Sequence, residues 1–202
     1  FSTFVWGTPA WHFLHTISFN YPVKPLEDQK NQYYNFFLSL KDVLPCRHCR
    51  ENFVKNIKAV MTMYLGGTPD NIKNFYYLKK KYKFFLLEDA CHALGSKYIY
   101  NGEIYNVGCC IHSDICVFSL HPLKTITSGE GGIVTTNSLN IFNRLSKLKN
   151  NGIDRIDYKK KINLPHWLYD IKYPGLNYRL SDINCSLGYS QLKKINKFIK
   201  DS

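Results

Sequence analysis

The chain has 202 residues, 45% of them hydrophobic and 15% aromatic, and carries a formal net charge of +12. That length can bury a core as one domain or as two small ones, and no apolar run approaches the roughly 20 residues a membrane-spanning helix needs. The excess charge is mostly scattered lysine; its runs at Lys79–Lys83 and Lys159–Lys161 are not interleaved with aromatics in a stacking pattern. This argues against a specific nucleic-acid surface, although the charge should still attract phosphorylated substrates.

No basic-then-apolar leader opens the chain. It begins at Phe1, without methionine and inside what reads as a motif, so the natural N-terminus is expected further upstream. Cysteines stand at 46, 49, 91, 109, 110, 116 and 185. Their number is odd and most lie in apolar or strand-like surroundings, which fits a reducing, cytoplasmic setting better than a secreted disulfide scaffold.

Residues 1–58 read as three helices. Thr8-Pro9 supplies a cap and first turn, and Trp11, Leu14 and Ile17 follow at helical spacing. A second helix, about 28–43, places Tyr33, Phe36, Phe37 and Leu40 on one face. A third starts near Pro45 and carries Cys46, Cys49, Phe53 and Ile57. After about residue 60 the pattern changes. Phe84-Phe-Leu-Leu-Glu88 is a short apolar run of the kind buried on both faces. Strand-like runs recur at 114–119 and 132–136, with helical stretches at about 70–81, 138–150 and 181–200. Strands alternating with helices predict an α/β layer with a mostly parallel sheet. The domain boundary is therefore set at 1–59 and 60–202.

In open α/β sheets, functional groups gather at the carboxyl ends of strands. Asp89 directly follows one strand, Ser119 ends the next, and Lys124 lies in the loop after it. A pyridoxal-phosphate site needs such a set: an amine to bond the cofactor, an acid beside the ring nitrogen and donors for the phosphate. Singly, the positions mean little, because an acid after a strand is usually a turn or cap and a loop lysine is usually solvated.

The longer strings carry more. They are Glu88-Asp-Ala-Cys-His-Ala-Leu-Gly95, Ser113-Asp-Ile-Cys-Val-Phe-Ser-Leu-His-Pro-Leu-Lys-Thr-Ile-Thr-Ser-Gly-Glu-Gly-Gly132 and Gly175-Leu-Asn-Tyr-Arg-Leu-Ser-Asp182. In order and spacing, residues 63–200 resemble the DegT/DnrJ/StrS family of PLP-dependent sugar aminotransferases. Within it they are most similar to the branch that aminates a UDP-linked 4-keto-6-deoxy-N-acetylhexosamine for pseudaminic acid. The resemblance implies part of the large domain of a fold type I aminotransferase. It also implies that Lys124 bonds PLP and moves the proton, that Asp89 pairs with the pyridine nitrogen, and that His92 lies beside the ring. Ser119 would hold the phosphate. Asn177 would reach a phosphate, and Arg179 an amino-donor carboxylate, across the interface of a homodimer. Gly129, Gly131 and Gly132 would serve backbone geometry. His121 is either a wall of the site or a structural cap. The substrates implied are a nucleotide-linked keto-sugar and an amino donor such as glutamate. The family's earlier phosphate-wrapping segment and its C-terminal small domain find no counterpart here.

Trp6-Gly-Thr-Pro-Ala-Trp-His-Phe-Leu-His15 and Leu44-Pro-Cys-Arg-His-Cys-Arg-Glu-Asn-Phe53 resemble, over residues 4–58, the Erv/ALR family of FAD-linked sulfhydryl oxidases. Cys46 at a helix start beside Arg47 and Arg50 has the setting of a lowered thiolate pKa. The resemblance implies that Cys49 faces the flavin, that Cys46 exchanges with substrate dithiols, and that Trp11 and His15 line the FAD pocket. The later His-Asn segment of that family is not found. Cys46, Cys49, His12 and His15 also have spacings that could hold zinc. Three readings follow: transamination, thiol oxidation through Cys46 and Cys49, or an inactive joined remnant of two enzymes.

Overall fold

The computed structural model describes residues 26–29, 31, 32, 35, 36, 39, 58–69, 71–154, 169–171 and 173–201. The chain divides into two compact units, 1–58 and 59–202. In the first, the described positions 27–29, 31, 32, 35, 36 and 39 are helical, all but 27 within the stretch expected at 28–43. The other two expected helices lie outside the described residues, as do Trp11, His15, Cys46 and Cys49.

The second unit opens with strand β1 (Ala59–Met63), a one-turn 3-10 segment (Leu65–Gly67) and helix α1 (Ile72–Tyr82). Lys83 ends α1 in the left-handed region at φ 58°, its N–H returning to the carbonyl of Lys79. Strand β2 (Phe85–Asp89) follows, then β3 (Lys97–Tyr100), β4 (Glu103–Asn106), β5 (Ile115–Ser119) and β6 (Gly132–Thr135). Helix α2 (Leu139–Leu148), strands β7 (Ile153–Asp154) and β8 (Asp170–Ile171), and helices α3 (Asp182–Leu192) and α4 (Ile195–Lys200) complete the described elements. The main sheet has the order β1-β2-β5-β6. The first three strands run parallel, with Met63 opposite Asp89 and Asp89 opposite Val117. Strand β6 is antiparallel, with Ser119 opposite Gly132. The architecture is the expected α/β layer with a mostly parallel sheet.

Three local expectations need correction. Strand β2 is fully buried on one face only, where Leu86 and Glu88 point, while Phe85, Leu87 and Asp89 are half-buried. The buried face is filled by Ile72, Tyr64, Cys116 and Phe118. The opposite face leaves Met61, Met63 and Val134 exposed. The stretch expected as one helix over 181–200 is two, α3 and α4, separated by a turn at Lys193 and Lys194. The break lets Ile199 lie against Gly95, where a β-carbon would meet its Cδ1 at 2.3 Å. The hairpin β3–β4 was not expected, although its signal is present. Asn101-Gly102, flanked by alternating apolar residues, adopts φ values of 50° and 85°, the pattern of a tight hairpin turn.

That hairpin closes over His112. Rings of Tyr76, Tyr100 and Tyr105 stand 4.7, 4.3 and 4.9 Å from its imidazole, and the Tyr98 hydroxyl is 2.7 Å from Nδ1. Burial, helped by nearby Lys80, pushes the imidazole pKa down. His112 is thus a satisfied core residue.

The buried face of β2 holds an unusual charge. Glu88 is 1% exposed, and its Oε2, the Tyr64 hydroxyl and the Ser113 hydroxyl are buried without hydrogen-bond partners. Burial pushes the Glu88 carboxyl up, against the opposing pull of the polar groups of Ser113, Tyr64 and Cys116 beside it. A carboxyl whose pKa the fold raises costs stability as pH rises past the unfolded carboxylate value of about 4.3. Glu88→Gln should therefore melt close to wild type at pH 4. At pH 8 it should be the more stable of the two, read as a higher melting temperature than wild type. Equal differences at both pH values would show that Glu88 is not held protonated.

Candidate active site

Side chains alternate across a strand, so residues at even spacing share a face. Asp89, its register partner Val117 and, two residues on, Ser119 therefore stand on the open face of the sheet, at the carboxyl ends of β2 and β5. Asp89 is half-buried, and its Oδ1 accepts from the Cys91 N–H at 3.1 Å. That bond makes the Asx-type turn expected of an acid leaving a strand. It leaves the other carboxylate oxygen for another partner.

The Cys91 thiol marks where the site groups meet. Burial pushes its pKa up to about 11, aided by the adjoining Asp89 carboxylate, while the Lys124 ammonium and the Ser119 backbone pull the other way. One half-buried sulfur thus feels the acid, the amine and the strand end that carries the hydroxyl. Asp89 and Ser119 end neighbouring strands, and Lys124 lies in the loop after the second of them. Nothing in the reading of the sequence gave Cys91 a part, although its place two residues after Asp89 on a tight turn was a usable signal.

Lys124 is half-buried in a loop closed at its neck. Leu120 N–H donates to Gly131 O at 2.9 Å, and Ser128 N–H donates back to Leu120 O at 3.1 Å. The Thr127 hydroxyl also donates to Leu120 O, at 3.0 Å. Ser119 Oγ accepts from the His121 N–H at 3.3 Å, which leaves the hydroxyl proton free for a ligand. His121 Nδ1 accepts from the Leu123 N–H at 3.2 Å, so His121 caps this turn. His92 is exposed on the turn after Asp89, backed by Gly67, where a β-carbon would lie 2.7 Å from the His92 carbonyl.

Asn177 and Arg179 occupy a different place. Their segment is stitched to the end of α2 by Leu176 N–H to Leu148 O (2.8 Å), Asn151 N–H to Leu176 O (3.0 Å) and Tyr178 N–H to Lys149 O (2.8 Å). Arg179 Nη1 donates to Asn150 Oδ1 at 2.9 Å. Both side chains are exposed; the Arg179 bond and the Asn177 backbone bridge to Asn150 tie the segment to this end of α2. Beside them, a cavity of about 770 Å³ is lined by Phe142, Leu145, Lys149, Tyr178 and Arg179.

The donor set suits pyridoxal phosphate. It offers a half-buried amine on a braced loop, a carboxylate with a free oxygen and a hydroxyl with a free proton, all at one end of the sheet. Among the described residues no group of His, Cys, Asp or Glu could hold a metal ion, and Cys91, Cys109, Cys110, Cys116 and Cys185 are free thiols. No described helix is long and apolar enough to cross a membrane.

Comparisons with known proteins bear on the whole chain. Residues 45–202 match the DegT/DnrJ/EryC1/StrS aminotransferase family, and residues 8–75 match the Erv1/Alr family. The two matches overlap over 45–75. A UDP-4-amino-4,6-dideoxy-N-acetyl-beta-L-altrosamine transaminase of Campylobacter jejuni is 39% identical over 146 residues, covering 71% of this chain and 35% of the relative. The GDP-perosamine synthase of Escherichia coli O157:H7 is 32% identical, covering 74% of this chain and 36% of the relative. Among solved structures, Helicobacter pylori PseC, an aminotransferase of pseudoaminic acid biosynthesis, superposes with a TM-score of 0.59 at 30% identity, covering 69% of this chain and 34% of that one. The chain spans about a third of the length of the curated relatives it matches.

Proposed function

This chain belongs to the DegT/DnrJ/EryC1/StrS aminotransferase family, and from that premise we propose that residues 60–202 carry the lysine side of a pyridoxal-phosphate site. The reaction would transfer an amino group from a donor such as glutamate to a nucleotide-linked keto-sugar. The observation that carries the reading is the placement of Asp89 and Ser119 on one face at the carboxyl ends of the neighbouring strands β2 and β5, with Lys124 in the braced loop that follows β5. Bound PLP supplies an electron sink. Lys124 would anchor it covalently and hold or return the proton at the substrate carbon. Asp89 would face the ring nitrogen through its free oxygen, Ser119 would donate to the phosphate, and His92 would line the ring. The C. jejuni relative at 39% identity supports a UDP-linked 4-keto-6-deoxy-N-acetylhexosamine as substrate. The net charge of +12 favours an anionic nucleotide.

A second copy would complete the site. Helix α3 exposes Ile183 (83%), Leu187 (41%) and Tyr189 (62%), and Tyr178 and Leu123 are exposed at 72% and 87%. An apolar set of this kind fits a partner surface. In a homodimer of this sort Asn177 would reach the partner's phosphate and Arg179 a donor carboxylate. The enzyme would work in the cytoplasm, where nucleotide sugars are made.

A second reading concerns the first unit. Its support is the Erv1/Alr match over 8–75 together with Cys46-Arg-His-Cys49. Cys46 would accept electrons from a substrate dithiol, and Cys49 would pass them to FAD held beside Trp11 and His15. One experiment separates the readings. PLP added to the pure chain should give a yellow protein, and borohydride should leave a reduced adduct that peptide mapping assigns to Lys124. A flavin band sensitive to Cys49→Ser would support the oxidase. Failure to take up either cofactor would sink both readings and leave the inactive remnant.

A further inference from the structure

Among the described residues, one side chain from outside the loop that carries Lys124 hydrogen-bonds to its return limb. Asn184 lies in the first turn of α3, and its Nδ2 donates to Ser128 O at 2.5 Å and to Glu130 O at 3.5 Å. These carbonyls lie 56 and 54 residues earlier in the chain. The amide cannot turn round freely. Its Oδ1 accepts from the Ser181 hydroxyl, while the Asn184 N–H donates to Ser181 Oγ at 3.2 Å, the N-cap bond of α3. Both ends of the side chain are thus committed, with the donating end aimed at the loop.

Close approach of helix and loop depends on Gly188, one turn further along α3. A β-carbon there would lie 3.3 Å from Ser128 Cβ and 3.8 Å from Leu120 Cδ1. Ser128 is itself 0% exposed, and its hydroxyl donates to Glu130 O at 2.8 Å. The return limb of the loop, Ser128 to Gly131, is therefore pressed against α3 and bonded to it. Helix α3 begins directly after the segment bearing Asn177 and Arg179, and it carries the exposed apolar set of Ile183, Leu187 and Tyr189.

We infer that Asn184 is a positioning residue: its side-chain amide holds the Lys124 loop in register with α3. Any ligand or partner that fixes α3 or the Arg179 segment then also fixes the lysine. This rests on the reading of Lys124 as the cofactor lysine. Catalytic precision explains why the tether matters, since displacement of a reacting group by about 1 Å can cost up to about 100-fold.

The test uses the full chain in three variants. Asn184→Ala removes the tether. Asn184→Asp keeps size and capping oxygen but turns an acceptor toward two carbonyls. Ser138→Ala removes the N-cap of α2, whose hydroxyl accepts from Ile141 N–H at 3.4 Å, and so weakens the fold elsewhere. In both Asn184 variants the PLP concentration for half-saturation should rise about tenfold or more, and the borohydride adduct should spread from Lys124 to other lysines. Ser138→Ala should stay within about twofold of wild type. An equal rise in Ser138→Ala, or none in the Asn184 variants, overturns the inference. Hydrogen exchange without cofactor gives an independent readout. Amides of 128–131 should exchange faster in Asn184→Ala and Asn184→Asp, and unchanged protection overturns the tether. If wild type binds no PLP but those amides do loosen, the cofactor reading fails while the tether stands.

Discussion

Asp89→Ala is expected to weaken PLP binding by about 30- to 150-fold, the equivalent of losing one hydrogen bond to a charged group, about 2–3 kcal/mol. The carboxylate is half-buried at the end of β2, and one of its oxygens is occupied by Cys91 N–H. Only the second oxygen is available to a cofactor nitrogen. Asp89→Asn is the sharper probe because it keeps the turn and the size but removes the charge. It should retain a wild-type melting temperature while still losing most of the affinity. Absorbance titration with PLP, run beside thermal denaturation, measures both quantities. Wild-type PLP affinity in Asp89→Asn would remove Asp89 from the site. A low melting temperature in Asp89→Ala alone would assign Asp89 to the turn.

Gly152→Ala should be the most damaging single substitution for the fold of the second unit, at about 4 kcal/mol or more. Gly152 has φ 72°, a conformation that costs an L-residue about 1–2 kcal/mol. Space is the larger obstacle. A β-carbon would lie 1.7 Å from Tyr173 O and 2.7 Å from Tyr173 C, so one backbone must move off the other. Those backbones are the turn after α2 and the run leading into Asn177 and Arg179, joined by Leu176 N–H to Leu148 O (2.8 Å) and Asn151 N–H to Leu176 O (3.0 Å). The substitution should lower the melting temperature by about 2–4 °C per kcal/mol and release amide protection at Leu176 and Tyr178. Intact protection at these two amides would show that the segment is held by something other than this stitch.

Much of the second unit was readable in advance, for identifiable reasons. The apolar runs at 84–88 and 114–119 became β2 and β5, because β-rich segments bounded by turn residues have few alternatives in an α/β layer. Helix α2 falls within the helical stretch expected at 138–150, and Ser138, whose hydroxyl caps it, was a start signal not used. The hairpin β3–β4 was equally legible from Asn101-Gly102 but was passed over. Strand β1 was not, since Ala59–Met63 is a strand by virtue of its parallel pairing with β2, not by any alternation of its own. The partial burial of β2 was likewise out of reach, because a run of apolar residues reads the same whether one face or both are covered.

The site divides along a similar line. Residue identity and order alone placed Asp89, Ser119 and Lys124 at strand ends and in the loop after them. They also supplied the strings by which the family was recognised, because those features are local and depend on a few consecutive residues. That Asp89 lies in register beside Val117, two residues before Ser119, that Arg179 is bonded to Asn150, and that Asn184 grips carbonyls more than fifty residues away was decided only by the tertiary structure. Each of these contacts joins segments distant in the chain, and their proximity depends on backbone approaches such as those at Gly152 and Gly188. A glycine in a sequence announces freedom of the backbone. Which neighbour uses the space it leaves is settled only when the segments pack.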